Sequence, residues 1–198
     1  ESTPPARTKT AMIAAANSHA ARAGQEILAA GGSAIDAAIA AQMVLGLVEP
    51  QSSGIGGGGF LLHYNATTGA IESFDGRETA PASATGNLFR KSDGELMSWP
   101  EAASGGLSVG VPGLLRMLEL VHRRHGRLPW ASLFEPAIQL AQAGFAVSPR
   151  MAELVAGNKD LADFPAARAY FFADGESLAA GTHLVNPDYA ATLRTVAA

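Results

Sequence analysis

Glu49-Pro50-Gln51-Ser52-Ser53-Gly54-Ile55-Gly56-Gly57-Gly58-Gly59-Phe60 is the stretch around which this chain is organised, and it continues through two short apolar runs into Asp75-Gly76-Arg77-Glu78-Thr79-Ala80-Pro81. Four consecutive glycines remove every side chain where the backbone leaves a helix and enters a strand. Such a loop is expected where glycine alone can adopt a positive φ, or where other backbone or a ligand lies very close. Phe60–Tyr64 and Ala70–Phe74 read as strands joined by Asn65-Ala66-Thr67-Thr68-Gly69, so an antiparallel hairpin is the simplest arrangement. That hairpin returns Arg77 to the level of the glycine loop. The two features are therefore expected to be neighbours in space.

Working outward toward the N-terminus, His19–Ala30 is expected to be a helix, with Asn17 or Ser18 as its N-cap and Gly31-Gly32 as its stop. Ser33 followed by Asp36 resembles a capping box with a shorter acid than usual, opening a helix to about Leu47. Small residues occupy nearly every face of that helix, so it is expected to be buried between layers, with Gln42 as a hydrogen-bonded interior group. Ahead of these, Met12–Ala16 reads as a buried strand of small residues, and residues 1–10 as a flexible lead-in. Residues 11–198 are expected to form one continuous piece without a clear internal boundary.

Toward the C-terminus, Pro81–Gly113 is loop-like, and Gly113–His125 is an amphipathic helix stopped by Gly126. Trp130–Phe134 is expected to turn into a helix over Pro136–Ala143, closed by Gly144. Ser148-Pro149 and Asn186-Pro187-Asp188 open two more. The last of these carries no stop signal before Ala198, so the chain is expected to end inside an element.

Composition excludes several classes of function. The 198 residues are 47% hydrophobic and 16% charged, enough for a globular core, and the formal charge of -4 supplies no basic field for nucleic acid. No apolar run reaches the roughly 18–20 residues of a membrane span. With zero cysteines there are no disulfides, thiolate metal sites or cysteine nucleophile.

Gly54, Gly56 and Gly59 satisfy the dinucleotide-binding spacing as a string, but that motif needs a strand before it and a helix after it, and here the order is reversed. No Lys-Ser or Lys-Thr follows, so a phosphate loop fails too. His122 and His125 have the spacing of a metal pair, yet Arg123 and Arg124 beside them disfavour a cation, and basic residues belong at a helix C-terminus. His63 alternates with apolar neighbours as a structural strand residue. Asp36, Glu49 and Asp75 are candidates for acid–base chemistry only by closeness to the glycine loop. Arg77 is left with two roles: a surface arginine paired with Asp75 or Glu78, or a planar fork donating two parallel hydrogen bonds to a substrate carboxylate.

Gly31-Gly32-Ser33-Ala34-Ile35-Asp36-Ala37-Ala38, the glycine stretch, and Asp75-Gly76-Arg77-Glu78-Thr79-Ala80-Pro81 resemble the γ-glutamyltranspeptidase family in order and spacing. Ser104-Gly105-Gly106, Val111-Pro112-Gly113 and Pro136–Ala141 leading to Gly144-Phe145 extend the likeness over about residues 11–198. The resemblance implies an α+β, N-terminal-nucleophile hydrolase-like four-layer αββα sandwich, of which this chain is a helix-rich part of the large chain. It further implies a precursor that cleaves itself, and a threonine at the start of the small chain that attacks γ-glutamyl amides such as glutathione. The γ-glutamyl ester then passes to water or an amine, with no metal or cofactor required.

That threonine is expected outside this chain, so no catalytic residue is assigned here. Thr182-His183 lies too early to be the nucleophile. By resemblance, Arg77 holds the α-carboxylate of the γ-glutamyl group, and the glycine run is a core segment rather than the oxyanion site. The implied partners are the small chain and a γ-glutamyl small molecule, in a periplasmic or extracellular setting; this piece alone is expected to be inactive. A glutaryl or cephalosporin-type acylase, or a non-catalytic binding homologue, are the alternatives the residues leave open.

Overall fold

The computed structural model describes residues 10–158 and 160–198. Apart from Thr10, the expected lead-in lies outside the described residues. In chain order the elements are α1 (Ser18–Ala29), α2 (Ala34–Val48), β1 (Phe60–Asn65), β2 (Ala70–Asp75), α3 (Trp99–Ala103), α4 (Leu114–His125), α5 (Glu135–Ala143), β3 (Phe145–Ala146), α6 (Pro149–Gly157), α7 (Pro165–Phe171), β4 (Phe172–Ala173), β5 (Glu176–Ser177), β6 (His183–Leu184) and α8 (Pro187–Ala197). They fall into two compact units interleaved in sequence: Glu1–Gly54, Leu120–Leu154 and Ala179–Ala198 form the first, and Ile55–Glu119 with Val155–Leu178 the second.

The first unit is built on α1 packed against α2. Asn17 caps α1 by accepting the His19 N–H at 3.0 Å, and Gly31 adopts φ 90° just beyond its end, as expected of a glycine stop. Gly24 lets the two helices approach, because a Cβ there would lie 3.1 Å from the Ala37 carbonyl oxygen. Ile35, Ala37, Ile39, Ala40, Ala41, Met43, Val44, Leu47 and Val48 of α2 are all buried, which accounts for its lack of a polar stripe. Burying each large side chain contributes about 1.5–3 kcal/mol. Gln42 donates to Ser53 Oγ at 2.7 Å, an internal tie of the kind its position suggested.

Two fully or nearly buried carboxylates fasten this unit. Asp36 closes the capping box: its Oδ2 accepts the Ser33 N–H at 2.8 Å while its own N–H donates to Ser33 Oγ at 3.1 Å. The same Oδ2 also accepts the Arg127 and Leu128 N–H groups at 2.9 and 3.2 Å, binding the start of α2 to the turn after α4. Glu49 accepts from Asn17 Nδ2 at 2.8 Å and Gln51 Nε2 at 2.6 Å, and Arg150 Nε lies 3.7 Å from it. Each carboxylate joins segments far apart in sequence.

Elsewhere in this unit β3 pairs antiparallel with β6. Gly144 sits at φ 85° between α5 and β3, where a substituent would also strike His183. On α8, Asn186 caps by accepting the Tyr189 N–H at 2.9 Å. Tyr189 donates its hydroxyl to the Met43 carbonyl at 2.8 Å, and burial pushes that phenol well above its usual range.

Met12–Ala16 departs from expectation. It forms no paired strand among the described residues, and Met12, Ala14 and Ala16 are exposed. An apolar run becomes a strand only when a neighbouring backbone supplies hydrogen bonds, and a run of small residues does not contain that partner.

In the second unit, β1 and β2 form the expected hairpin with Phe60 opposite Asp75 and Asn65 opposite Ala70. Asn65 organises the turn by accepting the Thr67 N–H at 2.9 Å, and Gly69 takes φ 70°. One hairpin face is apolar and open: Phe60, Leu62, Tyr64 and Ile71 are each more than 60% exposed. The loop-like region after Pro81 contains the short α3, and α7 opens at Pro165 behind an N-cap, Phe164, whose side chain accepts no capping hydrogen bond. Lacking a polar cap, α7 leaves little trace in the sequence. The β4–β5 hairpin turns through Asp174 and Gly175, both at positive φ, a signal the Asp-Gly pair does carry.

Asp36→Ala is expected to destabilise the intact protein by about 3 kcal/mol, since three backbone donors lose their acceptor, with Asp36→Asn intermediate. Urea denaturation midpoints compare the variants; equal midpoints for Asp36→Ala and the parent would show that the carboxylate carries no structural burden.

Candidate functional site

The site is built on the backbone around Gly76. Beyond the Phe60–Asp75 pair the ladder continues by one step, with Gly59 N–H donating to Gly76 O at 3.2 Å and Gly76 N–H to Gly59 O at 2.9 Å. Thr79 and Val111 then form an antiparallel bridge, with the Val111 N–H donating to Thr79 O at 2.8 Å. The N–H groups of Gly113 and Leu114, at the start of α4, both donate to Gly57 O, at 3.1 and 3.2 Å. The glycine loop and Arg77 are neighbours, as the hairpin implied, and a third segment, Val109–Gly113, completes the frame.

Glycine is required here by proximity and not by dihedral angle. None of the glycines from 54 to 59 has a positive φ. A Cβ on Gly58 would lie 2.6 Å from Gly76 O and 2.7 Å from the Glu78 nitrogen; one on Gly110 would lie 2.8 Å from Glu78 Cβ; one on Gly113, 2.9 Å from Arg77 O. Gly76 itself faces Met117 Cβ at 2.6 Å. Gly54 and Gly56, by contrast, have open space. The conspicuous run thus contains one position that is sterically obligatory, while Gly76, Gly110 and Gly113 lie outside it. Sequence reading noted the Val-Pro-Gly landmark but had no means to bring it against Gly76.

Out of this frame projects Arg77. Its backbone N–H donates to Asp75 Oδ1 at 2.9 Å, which fixes the turn after β2. Its side chain is 62% exposed, and Nη1 donates to Glu78 Oε2 at 2.7 Å. Glu78 is more covered, with Oε1 against Gly57 and Oε2 against Gly58. An exposed pair of this kind adds little stability, on the order of 0–1 kcal/mol. Its consequence is orientation: one amino group of an otherwise exposed guanidinium is tied down.

The other candidates take structural places. Asp36 and Glu49 are buried ties of the first unit, and Asp75 serves the turn. His63 stands opposite Glu72 across the hairpin, with Nδ1 3.6 Å from its carboxylate. His122 is turned inward, its Nε2 2.9 Å from the Leu128 carbonyl and 3.6 Å from Asp36 Oδ1, with its ring 5.3 Å from Trp130. Thr182 lies in the strand-like connection into β6, its carbonyl accepting the Val147 N–H at 2.9 Å.

Comparison with known proteins gives this frame its context. The sequence profile of the gamma-glutamyltranspeptidase family matches residues 20–198. The glutathione hydrolase proenzyme of Bacillus subtilis is 37% identical over 188 residues, which are 95% of this chain and 32% of that protein. Scoloptoxin SSD14 of Scolopendra dehaani is 51% identical over 132 residues, 67% of this chain and 22% of that protein. The crystal structure of Helicobacter pylori gamma-glutamyltranspeptidase superposes with a TM-score of 0.90 at 34% identity, covering 98% of this chain and 56% of that one. The fold is therefore the helix-rich α+β part of an N-terminal-nucleophile hydrolase-like protein. The chain belongs to the γ-glutamyltranspeptidase family. It spans about a third or less of the length of these two sequence relatives.

Gly58→Ala is expected to lower stability by about 2 kcal/mol or more because the methyl group meets backbone, whereas Gly56→Ala is expected to stay within about 0.5 kcal/mol. Thermal unfolding of the two variants side by side checks this. Equal melting temperatures would show that the glycine frame tolerates a Cβ at both positions.

Proposed function

We propose that this chain is the N-terminal part of the large chain of a self-processing enzyme that transfers or hydrolyses γ-glutamyl groups, glutathione and related amides being the substrate class. The observation that carries this is the exposed Arg77 guanidinium on its glycine-built frame, in a member of this family. Arg77 would hold the substrate α-carboxylate through a bidentate pair of charge-assisted hydrogen bonds, with Glu78 setting the rotamer.

The chemistry follows from that anchoring. With the α-carboxylate fixed, the γ-carbonyl is presented to a threonine hydroxyl at the start of the small chain. The threonine oxygen bonds to the carbonyl carbon, the carbon–nitrogen bond breaks, and the amine leaves with a proton passed on by the threonine's own amino group. Water or an acceptor amine then cleaves the ester and restores the threonine. This chain contributes binding and orientation and no proton-transfer group, and the reaction calls for no metal or cofactor.

The open apolar face of the β1–β2 hairpin supports a larger assembly, because contiguous exposed apolar surface of this kind is ordinarily covered. Among the described residues no helix is long and apolar enough to cross a membrane. The family resemblance favours a periplasmic or extracellular setting.

The full-length, self-processed protein is expected to release the chromophore from a γ-glutamyl anilide; activity on a glutaryl anilide alone would overturn this assignment in favour of an acylase. In that protein Arg77→Lys is expected to raise KM for the γ-glutamyl anilide by about 10–100-fold with kcat changed far less, the cost of about 1.5–3 kcal/mol of charged hydrogen bonding. A KM within about twofold of the parent would remove Arg77 from substrate binding.

A further inference from the structure

Glu78 is seated more closely than an exposed acid requires. Its Oε2 lies 2.7 Å from where a Cβ on Gly58 would stand, its Oε1 3.5 Å from one on Gly57, and its own Cβ 2.8 Å from one on Gly110. Three glycines therefore line this side chain from root to carboxylate, and a methyl group at Gly58 or Gly110 would take the space it occupies. The result is a side chain 28% exposed beside an arginine 62% exposed.

The seat fixes a negative charge next to a positive one. Arg77 Nη1 donates to Glu78 Oε2 at 2.7 Å, so any ligand that reaches the guanidinium comes close to the carboxylate as well. A lone carboxylate approaching Arg77 meets the attraction of the guanidinium and the repulsion of Glu78, and charges this close act with comparable strength and largely cancel. A ligand with an ammonium and a carboxylate on the same carbon meets two attractions instead. The α-carbon of a γ-glutamyl group carries that pair of charges. A glutaryl group has the carboxylate and no ammonium.

We propose that Glu78 is a specificity-determining residue, selecting zwitterionic γ-glutamyl groups over glutaryl groups by its charge. This rests on Arg77 anchoring the substrate, as proposed above. Selectivity is a difference between two affinities, and a fixed like charge raises it by penalising the wrong ligand. Because the glycines leave the acid little room to swing aside, that penalty stays with the site. Glu78 thus does more than orient Arg77: it gives the anchor a preference between the two substrate classes that an arginine alone would accept.

Glutamate and glutarate differ only in the ammonium, so they serve as the probes. Their inhibition constants are measured at neutral pH on the full-length, self-processed protein, against turnover of whichever anilide it accepts. In the parent, glutamate is expected to inhibit at least about 10-fold more tightly than glutarate. Parity between them overturns the proposal without any variant. In Glu78→Gln the amide oxygen can still accept the Arg77 Nη1 hydrogen bond, so the arginine keeps its tie while the charge is removed. The ratio of the two constants is expected to fall about 10-fold in that variant, equal to about 1.4 kcal/mol of discrimination. A fall of less than about threefold, with both probes weakened alike, leaves Glu78 a purely structural partner and overturns the proposal. An enzyme active on the γ-glutamyl anilide whose ratio ignores Glu78→Gln sinks this inference alone. Turnover of the glutaryl anilide alone sinks the function proposed above as well.

Discussion

The constraint on which the second unit depends is the approach of two backbone segments, the glycine loop and Val109–Gly113, to Gly76–Glu78 at distances that no Cβ permits. Gly58 lies in the glycine loop and Gly110 and Gly113 in Val109–Gly113, and each would collide with the backbone or side-chain root of the Arg77 segment if it carried a methyl group. The close approach is what allows Gly59 and Gly76 to exchange hydrogen bonds past the end of the hairpin and lets Gly57 O accept two donors from the start of α4. A turn held from two sides in this way has little backbone freedom left to lose. An arginine mounted on it therefore combines an exposed side chain, tied at one amino group to Glu78, with a fixed root.

In the first unit, the corresponding role falls to buried charge. Asp36 and Glu49 stand among apolar helices, where an unpaired carboxylate would cost several kcal/mol. Asp36 is surrounded by backbone donors and Glu49 by side-chain amides, so the charges act as multipoint acceptors joining distant segments. Acids close to a glycine loop in sequence resemble catalytic groups. Their burial and their hydrogen bonds to distant segments assign them to architecture instead, with Asp36 Oδ1 facing His122 Nε2 at 3.6 Å.

Two features suit the larger assembly proposed above: the apolar hairpin face and the unpaired segment before α1. They belong to different units and differ in kind, one being side-chain surface and the other backbone edge. Each is a poor final state for a protein in water, and each is corrected by adding a layer. In the function proposed above, such surfaces would bring the attacking group of the small chain to a substrate anchored at Arg77.

The sequence by itself determined the local elements and the candidate contact. The helices with polar caps and glycine stops, the hairpin with its Asn65–Gly69 turn, and Arg77 just past β2 were all legible, because capping, turn chemistry and periodicity act within a few residues. The unpaired state of Met12–Ala16, read there as a strand, and the uncapped α7 were not, since one depends on a partner absent from its own residues and the other lacks the cap that announces a helix. Only the tertiary structure decided which glycines matter, that Glu78 orients Arg77, and that Asp36 and Glu49 are ties. Each of these is a contact whose meaning lies in what arrives from elsewhere in the chain. Gly56 and Gly58 are indistinguishable as letters, and they differ because the backbone of Gly76–Glu78 passes beside one and not the other.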